Sequence, residues 1–399
     1  AYNFKLMKKL LFTCLLVAGL QCLKAQLVWT PLNDNRFNNI EHLHFGDDRV
    51  GIAAQGDSIF LTKDEGLSWK LRTLPGIEIY RCKVMVKNTD TLIVVGGDDY
   101  KQVYYSHGFN QPFKLLDQSR LKRCPEAKMS DLVDIKGTLY LTGVFEDSIS
   151  DYPVMYYTND MGQSWQSKIF YGEKSCFLKL VPMAGDTLVA LRVPKTNLYD
   201  QDFLFGQYWQ DDFNVQYSQY PKVTYITDVS CDESRIVFTN RLSKRTFLYY
   251  NGIKSTPTTF YDQNAFNEHH ELKFYDDDEL LVIERNTDNS SKNYWQLVSY
   301  HIDDSTYDAR STYVMADSMA SFHSINVTPS YVYVASEKVI YKAYRASIDI
   351  KEIEKENSLR LSYSKQSEAL RVEGLKDNLA RKPQADLFVS IHADAFKRK

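Results

Sequence analysis

The chain has 399 residues, of which 14% are aromatic, and a formal net charge of −3. This length exceeds what one small core can organise, but it suits a repeat architecture in a single domain. Residues 1–25 carry four lysines and no acid, so the remaining chain is more acidic still, and its charge argues against nucleic-acid binding.

The first 25 residues predict a signal peptide. Lys8 and Lys9 precede an apolar stretch at residues 10–20, and a cleavage site follows Ala25. The stretch is shorter than the ~20 residues that cross a bilayer, so no membrane span is expected once it is removed. Residues 1–6 lie before Met7 and indicate an over-extended N-terminus. We expect a secreted or outer cell-surface protein, with the periplasm as the alternative.

Two octapeptides share the pattern Thr-x-Asp-x-Gly-x-Ser-Trp, one at residues 62–69 and one at residues 158–165. Each lies between two extended runs, which predicts the turn of a β-hairpin. The Asp can accept hydrogen bonds from backbone N–H groups, the Gly can take a positive φ, and the Trp supplies apolar surface for burial. A degenerate third copy spans residues 106–113, with Phe113 at the Trp position. The predicted structural residues are Thr62, Asp64, Gly66, Trp69, Thr158, Asp160, Gly162 and Trp165.

This pattern resembles the Asp-box, or BNR repeat, of sialidases and of many β-propellers that are not sialidases. The resemblance implies a propeller whose Asp-boxes lie at the periphery, away from any central site. Strongly apolar strands recur at regular spacing and predict seven four-stranded units. They begin near Val50, Leu92, Leu139, Leu188, Ile236, Leu280 and Val332. The prediction is therefore an all-β, seven-bladed propeller over residues 26–345.

Ring closure and two insertions are also predicted. The last unit lacks a fourth strand, while Val28 and Trp29 lie in an extended run without a unit of its own. Pairing these two ends would close the ring and cover two sheet edges. Stretches 194–205 and 286–293 are predicted to be long loops, where binding residues often lie.

The cysteines and histidines leave alternatives open. After removal of the signal peptide four cysteines remain, which permit three disulfide connectivities or free buried thiols, and their spacing matches no zinc site. They are Cys82, Cys124, Cys176 and Cys231. His42 and His44 would lie on one face of a strand, as a metal pair or as ordinary strand residues. His269 and His270, with the acids at 276–279, pose the same choice. Several Asp-Ser or Asp-Thr pairs resemble the O-glycosylation acceptor of Bacteroidota.

Residues 346–399 are predicted to be a linker and C-terminal tail. The alternating stretch at 359–363 resembles the sorting domain of the type IX secretion system. Residues 385–396 read Ala-Asp-Leu-Phe-Val-Ser-Ile-His-Ala-Asp-Ala-Phe and resemble a segment of zinc-dependent N-acetylmuramoyl-L-alanine amidases, which implies that His392 is a zinc ligand. A hydrolytic zinc site needs about three protein ligands, so the segment is interpreted as a fragment or fusion, and whether it is native stays open.

The expected function is non-enzymatic binding of a glycan or protein partner at the channel mouth or on its loops, by a monomer without a cofactor. The first alternative is a zinc amidase acting through the tail. The second is a sialidase-like glycoside hydrolase, for which the resemblance implies an arginine triad and an Arg-Ile-Pro motif before the first Asp-box. No such motif occurs between Gln26 and Thr62.

Overall fold

The structure is a computed structural model that describes most of the chain between residues 27 and 345 and one hairpin beyond it. The described ranges are 27–74, 83–87, 91–96, 102–117, 128–135, 137–146, 151–160, 162–170, 175–183, 187–194, 202–209, 212–217, 226–231, 235–240, 246–251, 258–261, 267–276, 278–286, 294–302, 307–314, 321–345, 360–364 and 369–373. The predicted signal peptide lies outside them. Within these ranges no helix is long and apolar enough to cross a bilayer.

Seven antiparallel sheets of four strands each are formed by residues 29–344. Sheet 1 contains β2 (His42–Phe45), β3 (Gly51–Gln55), β4 (Ser58–Thr62) and β5 (Lys70–Thr73). Sheet 2 contains β6 (Lys83–Lys87), β7 (Thr91–Gly96), β8 (Gln102–His107) and β9 (Lys114–Leu115). Sheet 3 contains β10 (Lys128–Ile135), β11 (Thr138–Glu146), β12 (Asp151–Thr158) and β13 (Gln166–Ile169).

The remaining sheets follow the same order. Sheet 4 contains β14 (Ser175–Met183), β15 (Thr187–Pro194), β16 (Asp202–Trp209) and β17 (Asp212–Tyr217). Sheet 5 contains β18 (Ile226–Cys231), β19 (Arg235–Asn240), β20 (Thr246–Asn251) and β21 (Thr258–Tyr261). Sheet 6 contains β22 (Asn267–Asp276), β23 (Glu279–Asn286), β24 (Tyr294–Ile302) and β25 (Tyr307–Val314). Sheet 7 contains β26 (Phe322–Val327), β27 (Tyr331–Ser336), β28 (Val339–Tyr344) and, from the start of the chain, β1 (Trp29–Asn33).

These sheets are arranged in a ring. The first strand of each sheet lies beside the first strand of the next, and the first strand of sheet 7 lies beside that of sheet 1. The prediction of an all-β propeller is therefore confirmed. Each predicted apolar start falls on the second strand of a sheet, or one residue before it. Sheets 1, 2, 3, 6 and 7 have described side chains on three or more strands, whereas those of sheets 4 and 5 are confined to the first two strands.

The core lies between neighbouring sheets, because each sheet buries both of its faces. On β3, Ile52 packs with Val94 of sheet 2, whereas the adjacent Ala53 packs with Tyr333 of sheet 7. Successive residues of a strand point to opposite faces, so a strand buried on both faces needs a continuous apolar run. All six residues of β7 are buried for this reason.

The N-terminal strand closes the ring, as predicted. β1 pairs antiparallel with β28, with Trp29 opposite Ala343 and Pro31 opposite Tyr341. β1 is the outermost strand of sheet 7, a position where proline costs little because one edge of the strand makes no ladder bonds. Leu32 is buried in a cluster that also contains Trp69 of the first octapeptide.

One of the two predicted loops is shorter than expected. Residues 287–293 of the second predicted loop lie outside the described residues. In stretch 194–205, however, residues 202–205 belong to β16, so this part of the prediction was wrong. Phe203 and Leu204 pair with Leu191 and Ala190 of β15, and such apolar residues gain more from a place in a sheet than from a solvated loop.

The chain divides into two compact units, residues 1–345 and 346–399. In the second unit β29 (Arg360–Ser364) pairs antiparallel with β30 (Ala369–Glu373). The alternating stretch noted in the sequence thus forms a strand. The amidase-like segment, including His392, lies outside the described residues.

Closure by β1 predicts a large effect of one leucine. Leu32→Ala is expected to lower the free energy of unfolding by about 2–4 kcal/mol, because it leaves a cavity at the seam of the ring. Leu71→Ala, on another outermost strand, should change it by less than about 0.5 kcal/mol, since Leu71 is 41% exposed and Leu32 only 7%. Urea unfolding followed by tryptophan fluorescence measures both, and equal losses would contradict closure by a packed β1.

Candidate functional site

A polar ring surrounds the propeller axis, and it is built from one equivalent position on each first strand. The positions are equivalent because each of these residues is paired, in its own sheet, with the residue at the same place on the second strand. In five sheets an irregularity of register, a β-bulge, directly precedes this position, and a bulge re-aims the side chains that follow it. All seven residues are polar, and we call them the first tier: His42, Lys83, Asp131, Lys179, Asp228, Glu271 and Ser324. The side chain of Lys83 is not among those that the structure describes.

The second tier lies two residues further along each first strand, so it points to the same side as the first tier. It has an apolar arc, formed by Met85, Val133 and Val181 on sheets 2, 3 and 4. The polar arc follows on the other four sheets and consists of Ser230, Lys273, Asn326 and His44. The second tier is therefore amphipathic around the ring, and Met85 and Val133 of its apolar arc also pack in the cores between neighbouring sheets.

Side chains of both tiers accept hydrogen bonds from the backbone of the next first strand. In the first tier the bonds run from Leu180 N to Asp131 Oδ2 at 2.7 Å, from Leu272 N to Asp228 Oδ2 at 2.8 Å and from Ile325 N to Glu271 Oε1 at 3.2 Å. In the second tier they run from Val86 N to His44 Nδ1 at 3.1 Å, from Phe274 N to Ser230 Oγ at 3.1 Å and from Phe45 N to Asn326 Oδ1 at 2.9 Å. First strands of different sheets do not share a ladder, so these side chains satisfy buried backbone donors.

Two lysines lie among these acceptors. The Lys179 ammonium forms an ion pair with Asp228, whose side chain is 6% exposed. Burial lowers the pKa of Lys273, and the positive charge of Lys179 lowers it further, against the opposing effect of Glu271, Asp228 and Asp131. The centre of the ring thus holds both signs of charge, and Lys273 is the cation least favoured there.

One ring nitrogen of the His42 and His44 pair is engaged by the backbone of a neighbouring sheet. His44 Nδ1 accepts the Val86 N–H, so this nitrogen is committed to the backbone of sheet 2. Burial, with a smaller effect of Lys273, lowers the pKa of His44 to about 4, so the imidazole of His44 is neutral at pH 7. No group of three or more His, Cys, Asp or Glu side chains within the described ranges could hold a metal ion. His269 and His270 lie in β22, but their side chains are not among those that the structure describes.

One mouth of the channel is lined by the ends of sheets 7 and 1. Ser321 Oγ donates to Glu337 Oε1 at 2.8 Å and lies 3.0 Å from His323 Nε2. Burial lowers the pKa of His323, although Glu337 and Glu41 oppose the change. The carbonyl oxygen of Glu337 also accepts the N–H of Ile40, at 3.0 Å. Strands alternate in direction along each sheet, so the end of each second strand and the start of each third strand lie at this same mouth.

The two octapeptides form turns with the same set of hydrogen bonds, and the turns lie at the opposite ends of the strands. In the first, Asp64 Oδ1 accepts from Thr62 Oγ1 at 2.8 Å and from Ser68 N at 2.9 Å, and Oδ2 accepts from Ser68 Oγ at 2.5 Å. In the second, Asp160 accepts from Thr158 Oγ1 and from Ser164 N and Oγ, at 2.7, 2.9 and 2.5 Å. One carboxylate therefore organises each turn.

The tryptophan of each turn packs against the preceding sheet. Trp165 belongs to the core between sheets 2 and 3, and Trp69 to the core between sheets 7 and 1. In the degenerate third copy Phe113 packs likewise against the core between sheets 1 and 2. There Gly108 replaces the Asp, yet its carbonyl still accepts the Gln111 N–H at 3.1 Å. The backbone turn thus persists without the carboxylate.

The turns are linked to their neighbours around the periphery. Lys342 forms an ion pair with Glu65 at 2.5 Å, which connects β28 to the first turn. Lys70 Nζ donates to Asn110 Oδ1 at 3.0 Å, which connects that turn to the third copy. These contacts join adjacent sheets away from the channel and indicate a structural role for the turns.

The two turn glycines predict unequal costs of substitution. Gly66 and Gly162 have φ values of 84° and 83°, so alanine at either position costs about 1–2 kcal/mol in backbone strain. A Cβ at Gly66 would also lie 2.7 Å from Leu32 Cδ1, whereas at Gly162 the nearest atom, Trp165 Nε1, is 3.5 Å away. Gly66→Ala should therefore destabilise the fold more than Gly162→Ala. Adding Leu32→Ala should recover the excess in a double-mutant cycle of urea unfolding; strict additivity would argue against the contact.

Acid should weaken the second turn. Partial burial would raise the pKa of Asp160, but hydrogen bonds from Ser164 and Thr158 outweigh this and hold it at about 2. The unfolded value is about 3.9, so the stabilisation is complete above pH ~4 and is lost as the pH falls towards 2. The difference in melting temperature between wild type and Asp160→Asn should shrink over this interval. Asp57→Asn, at an exposed turn, serves as control, and a constant difference would refute the lowered pKa.

Several predicted residues cannot be compared with the structure. Of the four cysteines only Cys231 has a described side chain, and it is half-buried.

The channel network of Asp131, Asp228 and Glu271 was not predicted. The recurrence of a polar residue at one position of every first strand is the sequence signal that could have indicated it.

No family model matches the chain, and no curated protein sequence matches it. Among solved structures, the chain is similar to YCF48 bound to a D1 peptide, at 11% identity and a TM-score of 0.54, over 79% of this chain and 96% of that one. It is also similar to a catalytically inactive virginiamycin B lyase from Staphylococcus aureus with quinupristin, at 11% identity and a TM-score of 0.57, over 80% and 99%. Both are β-propeller proteins. At this identity the likeness concerns the fold alone.

Proposed function

We propose that this chain is a seven-bladed propeller of the Asp-box type that binds a peptide segment of a protein partner at the mouth of its central channel. The observation that carries the proposal is the amphipathic second tier, in which sheets 2, 3 and 4 contribute Met85, Val133 and Val181 and the other four sheets contribute polar residues. A peptide presents apolar and polar groups side by side, and binding sites combine an apolar lining with a few placed polar groups.

The lengths of the segments between second and third strands support a binding site at the mouth that is lined by the ends of sheets 7 and 1. Along the chain, residues 195–201 and 287–293 separate the second and third strands of sheets 4 and 6, and these are the longest such separations between strand bounds. Loops on a rigid scaffold are common sites of recognition. The octapeptides and the turns between first and second strands lie at the opposite ends of the strands. There the polar groups of the octapeptide turns are engaged in contacts between adjacent sheets.

The hydrogen bonds of the channel carboxylates favour binding over catalysis. Asp131, Asp228 and Glu271 each accept a backbone N–H of the next sheet, and Asp228 also pairs with Lys179. A general acid or base must exchange a proton with a substrate within hydrogen-bond reach. These carboxylates are already engaged in holding the ring together.

The similar structures support a peptide in preference to a glycan, since one of them is YCF48 bound to a D1 peptide. The proposed location is outside the cell or on its surface, where the predicted signal peptide would direct the chain. Glycan binding, the zinc amidase with His392 and the sialidase-like hydrolase are the competing functions, and the test below separates them.

The test uses the full chain on a peptide array and a glycan array, followed by assays for release of sialic acid and cleavage of muropeptides. We expect saturable binding to a subset of peptides and no turnover in either assay. Binding to glycans alone would overturn the peptide assignment. Turnover of muropeptides that is lost in His392→Ala, or release of sialic acid, would overturn the non-enzymatic assignment.

A further inference from the structure

Lys273 is a cation without an acceptor. It lies in the polar arc of the second tier, and within the described part of the chain it makes no hydrogen bond and no ion pair. Lys273 is half-buried, so part of the residue remains accessible. Of the other two lysines in the tiers, Lys179 is paired with Asp228, and the side chain of Lys83 lies outside what the structure describes. An unpaired cation in such a place is costly unless something outside the chain compensates it.

His44 supplies a second donor on the same arc. Its Nδ1 accepts the Val86 N–H at 3.1 Å, so in the neutral ring the proton is on Nε2, which is therefore a donor. Nε2 has no acceptor among the described residues, and His44 is half-buried as well. His44 and Lys273 are close enough that the lysine charge acts on the imidazole.

The chain's own carboxylates do not provide the missing acceptor. Asp228 uses one oxygen for Lys179 and the other for Leu272 N. Asp131 and Glu271 accept from the backbone of sheets 4 and 7. All three act on Lys273 electrostatically, yet none comes within hydrogen-bonding distance of it.

From these contacts we propose that Lys273 and the Nε2–H of His44 together bind one carboxylate group of the ligand inside the channel. Two donors, one of them charged, can serve the two oxygens of a carboxylate in charge-assisted hydrogen bonds. The carboxylate comes from an acidic side chain or from the C-terminus of a peptide. This inference rests on the proposed peptide-binding function and specifies the chemistry of its ligand.

The test titrates the full chain with sodium acetate, against sodium chloride at equal ionic strength, and follows the ring nitrogens of His44 by NMR. Wild type should show a saturable shift of Nε2. Lys273→Met should weaken the apparent affinity at least tenfold, and Lys273→Gln should do the same if the methionine variant folds poorly. Lys70→Met, which removes an exposed lysine, should titrate like wild type. An unchanged affinity in both Lys273 variants, or no saturable shift in wild type, would overturn the proposal.

Thermal unfolding separates a ligand-binding role from a structural one. Lys273→Met should keep or raise the melting temperature, because it removes an unpaired charge. Lys179→Met should lower it, because Asp228 loses its partner. A lower melting temperature for Lys273→Met would indicate a structural lysine and contradict the proposal. Saturation by inorganic phosphate but not by acetate would contradict the carboxylate assignment.

Two further arms distinguish this site from the proposed function. Peptides from the array are compared with amidated and with Asp-to-Asn versions, which separates the C-terminus from the side chain as the source of the carboxylate. If peptides bind equally well to wild type and Lys273→Met, the peptide function stands and this site is refuted. If acetate binds as expected but no peptide does, the site stands and the peptide function is refuted.

Discussion

The fold depends on one non-covalent seam, the pairing of β1 with β28. None of the sheets can bury both faces alone, so each relies on two neighbours, and a ring supplies two neighbours to every sheet only when it is closed. The seam is more than a ladder of backbone bonds. Leu32 packs into the core between sheets 7 and 1, and Lys342 reaches across to Glu65 of the first turn. Strand pairing, apolar burial and an ion pair thus act at the same place.

At the centre of the ring, backbone N–H groups are satisfied by side chains and not by neighbouring strands. Within a sheet, backbone groups satisfy one another, but the first strands of neighbouring sheets cannot do so around the axis. Polar side chains such as Asp131 and Asn326 accept those N–H groups instead. Since each acceptor is fixed by this contact, the channel has a rigid polar lining. Among the described side chains, Lys273 and the Nε2–H of His44 are donors that this lining leaves unused.

Much of the fold could be predicted from the sequence, because its signals are local. The Asp and Gly of each octapeptide predict a turn, and the continuous apolar runs predict strands that are buried on both faces. Closure followed from Val28 and Trp29, which had no unit of their own. The boundary of β16 was missed because the polar stretch before Asp202 obscured the start of the strand.

The channel site was harder to predict because its signal is distributed. Asp131, Asp228 and Glu271 look like ordinary acids of separate strands, and only the register of seven sheets shows that they are equivalent. The bulges before them shift the alternation by one residue, which hides the pattern from any count of period two. The commitment of His44 Nδ1 to Val86 likewise depends on a neighbouring sheet and leaves no trace in the residues around it.

The seam has a consequence for biosynthesis. β1 is the first strand of the propeller to be made and β28 is the last, so the N-terminal strand waits for its partner until the whole ring has been synthesised. Until then the first turn also lacks Lys342, and Leu32 lacks the surface it covers. Contacts between the two ends of a long chain form late, so the ring is completed only after the ribosome has passed residue 344. A chain that crosses a membrane before folding would meet this requirement naturally, since both ends then reach the same compartment before the ring closes.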